Sequence, residues 1–124
     1  MYETLLTLHN ATGGLTLIAT LVTALVLFFT ARTSNTWTAL ALRITLILAS
    51  LQGVLGILMV LIGQVWEYWF HYALGLITVG VVSAVVARAR RAPNTEARRY
   101  GGILLGVVVL VLVTFLVGQY RWTI

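Results

Sequence analysis

Four runs of apolar residues, each about as long as a membrane-spanning helix, constrain this chain more than any other feature of its sequence. They cover residues 5–31, 40–63, 69–87 and 101–119. A helix of roughly 20 apolar residues crosses about 30 Å of hydrocarbon, and backbone groups in lipid must find their hydrogen bonds within the segment. The short connections make neighbouring helices antiparallel. We therefore predict an all-α integral membrane protein, an antiparallel four-transmembrane-helix bundle in which residues 1–124 form a single domain.

The composition agrees with lipid as the main solvent. Of the 124 residues, 60% are hydrophobic and 9% are charged, and a soluble domain needs far more charge on its surface. The net charge of +5 comes from eight arginines without any lysine, and five of the eight fall between residues 88 and 99. Such a cluster between apolar runs is typical of a cytoplasmic loop rather than of a phosphate-tracking groove. We expect the lipid bilayer, and no nucleic acid, as a partner. The absence of cysteine excludes disulfides and thiolate metal sites.

The distribution of charge predicts the direction of the helices. Arg32, Arg43 and the arginines of residues 88–99 lie on the side of the first and third connections, whereas Glu3, Glu67 and Arg121 lie on the other side. Because arginine is enriched on the cytoplasmic side of membranes, we expect a multi-pass protein of a prokaryotic-type cytoplasmic membrane with both termini outside. An aromatic belt is expected on that outer side, formed by Tyr2, Trp66, Tyr68, Trp69, Tyr120 and Trp122.

The first and third apolar runs share the pattern H-x-A-x-G-x-x-T. It starts at His9 in the first run and at His71 in the third. The second and fourth runs also end alike, in Gly-Gln at residues 63–64 and 118–119. A two-helix unit used twice in the same direction predicts an internal repeat about an axis along the membrane normal. The repeat places both histidines at one depth, where they can face each other through the centre of the bundle.

Two imidazoles at one depth predict a haem b site near the outer face. The chain has two histidines, ionisable residues inside spans tend to be functional, and imidazole is a standard axial ligand of haem iron. Gly13 and Gly75 follow the histidines by four residues, on the same helix face, where a porphyrin could lie against the backbone. Two alternatives stay open: a bound metal ion, which usually needs more ligands, or no cofactor, with the histidines bonding to neighbouring helices.

The outer side also offers partners for the haem propionates. Arg121 is the basic residue there, with Gln64 and Gln119 as additional donors. The alternative is that Arg121 only anchors the chain at the interface by reaching toward the lipid headgroups.

The second and third spans resemble haem A synthase. The similarity lies in Leu51-Gln52-Gly53-Val54-Leu55-Gly56-Ile57-Leu58-Met59-Val60, followed by Trp69-Phe70-His71-Tyr72-Ala73-Leu74-Gly75. In that family a Gln-x-x-x-Gly helix precedes a helix that opens with a haem-ligating histidine. The resemblance implies a half-size relative with one bundle and one haem, His9 and His71 as axial ligands, and a haem-facing edge made by Gln52, Gly53 and Gly56.

The chain also departs from that family. Asn10 stands where an arginine usually follows the first histidine, the outer-loop cysteines of many members are absent, and a second bundle is missing. Three functions are therefore expected in this order: a bis-histidine membrane cytochrome that transfers electrons, as a subunit of a larger redox complex or as a homodimer; a compact, dimeric haem A synthase with Glu3 near the catalytic haem; and a non-redox accessory subunit.

Overall fold

Four long helices make up almost all of the part that the computed structural model describes, which is residues 1–63 and 68–119. They are α1 (Tyr2–Thr30), α2 (Thr36–Gly63), α3 (Trp69–Arg91) and α4 (Ala97–Gln119), with a short 3-10 helix at Asn94–Glu96. Each long helix is apolar enough to cross a membrane, and the described residues contain no strand. The predicted all-α, four-helix membrane fold is confirmed.

The prediction of a polar loop over residues 88–100 was wrong for most of its length. Helix α3 continues to Arg91, and α4 begins at Ala97. Arginine is a good helix former, and its long side chain reaches the interface from the last turn of a span. The chain leaves the helix at Ala92, which is extended because the following residue, Pro93, disfavours helical backbone before it. The arginines therefore sit on helix ends.

The helices form a square in which α1 and α3 are diagonal to each other. Helix α1 packs against α2 and α4, and α3 packs against the same two helices. At one end the first and third connections are joined, because Asn94 Oδ1 accepts the N–H groups of Thr33 (2.9 Å) and Ser34 (3.2 Å). We call this the arginine end, since the arginines of residues 88–99 surround it. The opposite end, where α1 starts and α4 finishes, is the histidine end.

The interior is solid near the arginine end and hollow near the histidine end. The largest fully buried apolar side chains belong to the arginine half, namely Leu27, Leu42, Val82, Val86 and Leu104. Two buried hydroxyls there are paired, since those of Thr23 and Thr45 lie 2.7 Å apart across α1 and α2, whereas the buried Thr38 hydroxyl has no partner among the described residues. This dense half holds the four helices in place and leaves the unfilled space around the histidines.

Burial repeats along the chain with a shift of 62 residues, which is also the separation of the two histidines. The buried residues of α3 are Thr78, Val82, Val86 and Ala89, and each is 62 residues after a buried residue of α1. In α2 and α4 the same shift relates Leu42, Thr45, Ala49 and Leu55 to Leu104, Val107, Val111 and Val117. The structure thus supports the predicted two-helix repeat, but in a register different from the one suggested by the Gly-Gln helix ends.

Candidate functional site

The two histidines meet in the centre of the bundle. His9 on α1 and His71 on α3 approach across the diagonal, with ring centroids 6.0 Å apart and ring planes at 86°. Both Nδ1 atoms are buried without a hydrogen-bond partner among the described residues. Buried polar groups normally have partners. An orphaned nitrogen on each of two facing imidazoles therefore requires an explanation.

Helix α2 supplies the surroundings of His9. Gln52 Nε2 lies 3.3 Å from His9 Nε2, and the Thr12 hydroxyl bonds to Gln52 Oε1, so the amide is held against the imidazole. One turn further along α2, a Cβ atom built at Gly56 would lie 3.5 Å from His9 Cε1. That is ordinary van der Waals contact, so a methyl group at position 56 would touch His9 without displacing it.

Helix α4 supplies the surroundings of His71, and here the fit is tighter. A Cβ atom built at Gly118 would lie 2.5 Å from His71 Cε1 and 3.0 Å from both ring nitrogens. The imidazole can occupy this position because residue 118 is glycine. The backbone of Thr114 also interacts with the ring, although not in a geometry that satisfies Nδ1. Gln52 and Gly56 relate to Thr114 and Gly118 by the 62-residue shift, so equivalent positions support the two histidines.

A cavity of about 630 Å³ surrounds the pair and touches all four helices. Of the predicted cofactor-binding residues, those described by the structure all line it: His9, Gly13, Gln52, Gly53, Gly56, His71 and Gly75. Gln119 lines it as well. The remaining wall is mainly aliphatic and aromatic. The structure therefore brings the predicted residues together around one space, while their role in binding a cofactor stays a prediction.

Three other predicted residues are not at this cavity or cannot be placed. Glu3 is exposed on the first turn of α1 and is not part of the cavity wall. Arg121 and Gln64, the expected partners of the propionates, lie outside the described residues.

Sequence reasoning missed four residues that shape the site: Gly118, Thr114, Phe115 and Thr12. A signal for Gly118 existed, because it follows Gly56 by the same 62 residues that separate the histidines. Thr12, Thr114 and Phe115 belong to no sequence motif, and their role becomes visible only when the alignment of α2 with α4 is known.

The donor set distinguishes between kinds of cofactor. Within residues 1–63 and 68–119, no group of three or more His, Cys, Asp or Glu side chains is placed to hold a metal ion. Protein sites for bare zinc use three or four such ligands. Haem requires only axial ligands from the protein, because the porphyrin supplies the other four. The two imidazoles offer fewer protein donors than such ions use and as many as haem needs; haem itself stays a prediction.

Comparisons with family models, with curated proteins and with solved structures give no match to this chain.

Proposed function

We propose that this chain is a haem b-binding membrane cytochrome that transfers electrons, with His9 and His71 as the two axial ligands of one iron. The observation that carries the proposal is the placement of both imidazoles in one mainly apolar cavity, with ring centroids 6.0 Å apart. When bound, the haem would supply a one-electron iron couple.

The two rings are close enough for both side chains to hold one group between α1 and α3, since their centroids lie 6.0 Å apart. The volume of about 630 Å³ also lies within the usual range for cofactor pockets, about 300–1,000 Å³.

The surrounding residues have definite tasks in this proposal. Ligating imidazoles use one nitrogen for the metal and donate the other N–H to a carbonyl or carboxylate, and the Thr114 backbone, which interacts with His71, would be the nearest group for that task. Gln52 lies beside His9 Nε2, and its amide would orient the imidazole. The aliphatic wall excludes water, which lets the protein set the potential of the bound group.

The arginine end defines the orientation that we propose. Arginines concentrate on the cytoplasmic side of bacterial-type membranes, so the histidine end faces outward, and so do both termini. The haem would then lie near the outer face of a cytoplasmic membrane. Partners in a larger redox complex, or a second copy of the chain, would exchange electrons with it there, and Arg121 remains the predicted outer partner of the propionates.

One structural observation favours the cytochrome over the haem A synthase implied by the resemblance. That alternative uses an acidic residue close to the catalytic haem, and Glu3, the proposed acid, is exposed and does not line the cavity. Two histidine ligands also leave no axial position on the iron free for substrate.

The test is a spectrum of the purified protein. We expect a sharp, low-spin b-type signal in the reduced-minus-oxidised difference spectrum of wild type, and a pyridine haemochrome ratio of one haem per chain. His9→Ala and His71→Ala should each abolish the signal or turn it high-spin. Thr7→Ala is the matched control, because Thr7 is exposed on the same helix as His9 and its hydroxyl bonds to the Glu3 carbonyl within that helix.

Three other outcomes would change the conclusion. Well-folded wild type without haem would contradict the proposal and favour the accessory-subunit alternative. A signal that survives both histidine substitutions would place haem elsewhere. Conversion of haem O to haem A by the purified protein would favour the synthase.

A further inference from the structure

Two pseudo-equivalent seams between helices flank the cavity. The 62-residue shift maps α1 onto α3 and α2 onto α4, so the seam between α4 and α1 corresponds to the seam between α2 and α3. Residues that face each other across the first seam are Phe115 and Gly13, and their counterparts across the second are Gly53 and Gly75. The two seams can therefore be compared residue by residue.

The seam between α4 and α1 is closed by an aromatic ring. A Cβ atom built at Gly13 would lie 3.4 Å from Cδ2 of Phe115 and 3.1 Å from Nε2 of Gln52. Gly13 is accordingly buried. The ring of Phe115 fills the space that the glycine leaves, and α1 and α4 meet without a gap at this depth.

The seam between α2 and α3 is open at the corresponding position. Gly53 stands where Phe115 stands in the other half, and a Cβ atom built at Gly75 would meet no heavy atom of the described residues within 4 Å. Gly75 is half-exposed. One turn deeper the seam closes, since a Cβ atom at Gly53 would lie 3.3 Å from Cγ1 of Val79. Val79 thus forms the floor of the opening.

Lipid-facing side chains line the cavity at this seam. Ile57 is 51% exposed, Leu61 68% and Leu76 61%, and all three also belong to the cavity wall. At this seam the wall between the cavity and the surface is therefore a single layer of side chains. That surface is on the membrane-spanning part of α2 and α3, so the opening faces the acyl chains of the lipid and has an apolar rim.

We propose that the gap between α2 and α3 is a lateral portal through which the tetrapyrrole passes between the bilayer and the histidine pair. The inference rests on the proposed function and adds to it the route of loading. The apolar rim suits the apolar body of a porphyrin. Because the opening leads into the cavity that contains His71, the molecule expected to pass through it is the one that binds there. The absence of a ring at position 53 is the feature that opens it.

The test measures the rate at which haem loads into apoprotein reconstituted in lipid vesicles, followed by the appearance of the low-spin absorbance. Gly53→Phe gives α2 a phenylalanine at the position equivalent to Phe115 of α4. It should slow loading by about tenfold or more because the ring obstructs the route. Phe115→Gly opens the second seam and should accelerate loading. Gly80→Phe is the matched control, because Gly80 lies on α3, points into open space and does not line the cavity.

Because Gly53 also lines the cavity, only slower loading to the wild-type final absorbance supports the portal; if Gly53→Phe never reaches that absorbance, Phe115→Gly decides alone. If wild type never acquires the low-spin signal, the proposed haem function fails, and the portal fails with it. If wild type loads and Gly53→Phe loads at the wild-type rate, or if Gly53→Phe and Gly80→Phe are slowed equally, the portal is overturned while the haem site stands. Should Gly53→Phe fail to fold, Phe115→Gly decides alone: faster loading supports the portal, and an unchanged rate overturns it.

Discussion

The contact between Gly118 and His71 makes Gly118→Ala the sharpest test of how the site is built. The added Cβ atom would lie 2.5 Å from His71 Cε1, whereas carbon atoms pack at about 3.5–4.0 Å. The imidazole must therefore move by about 1 Å. A displacement of that size changes the spacing of the two imidazoles, whose ring centroids lie 6.0 Å apart.

The cost falls on the haem-bound state. The methyl group would displace His71 from the position from which it would hold the haem, whereas a ring that holds no haem is free to turn away. Overpacking a filled site costs about 1–3 kcal/mol, and the helix preference for alanine cancels because it acts in both states. We therefore expect haem affinity to fall by about 5- to 150-fold.

The pseudo-equivalent position provides the control. In Gly56→Ala the new Cβ atom lies 3.5 Å from His9 Cε1, which is ordinary contact, so haem affinity should stay within about twofold of wild type. The assay is a titration of apoprotein in detergent with haem, followed by absorbance. The reasoning is refuted if Gly118→Ala binds haem as tightly as wild type, or if the two variants lose affinity equally.

Two further predictions concern the scaffold, and both are measured by unfolding in mixed detergent micelles. Gly101→Ala should destabilise the protein by about 1–3 kcal/mol, because its Cβ atom would lie 2.8–2.9 Å from backbone atoms of α1 that cannot give way. Gly102→Ala meets no described heavy atom within 4 Å and should stabilise the protein by up to about 1 kcal/mol through helix propensity; equal effects would contradict the packing of α1 on α4. Thr78→Val removes the 2.6 Å hydrogen bond to Thr114 and should cost about 0.6–1.7 kcal/mol. Because the Thr114 hydroxyl keeps its bond to the Leu110 carbonyl, we expect the lower end of that range, and no loss at all would show that this bond does not stabilise the bundle.

The fold was predictable because lipid imposes a simple rule on sequence. Runs of apolar residues long enough to cross the bilayer must be helices. This rule located all four membrane-spanning helices. The ends of α3 and α4 were not predictable from polarity, since Arg88 and Arg91 continue the helix as readily as they begin a loop. Polarity marks the depth at which water begins, whereas the helix ends where Pro93 and its extended neighbour interrupt the backbone.

The site was predictable in part for a related reason. Two histidines at one depth on parallel helices must face inward, and the described residues confirm that His9 and His71 meet. The tight packing of Gly118 on His71 was not predictable. Small apolar residues occur on all sides of α2 and α4, so the sequence does not show which face of each helix points to the centre of the bundle. The 62-residue register would have revealed it, since Gly56 and Gly118 are then equivalent, but the similar helix ends suggested another alignment.

The most direct measurement of the central claim uses the fact that the chain has two histidines. Growth with ¹⁵N-histidine labels only those two imidazoles, and the hyperfine spectrum of the oxidised, haem-loaded protein then counts how many of them bind the iron. The account predicts a low-spin ferric signal coupled to two labelled imidazoles, with one coupling lost in His9→Ala and the other in His71→Ala. A purified, folded protein with no haem, or an iron coupled to one imidazole or none, would contradict it.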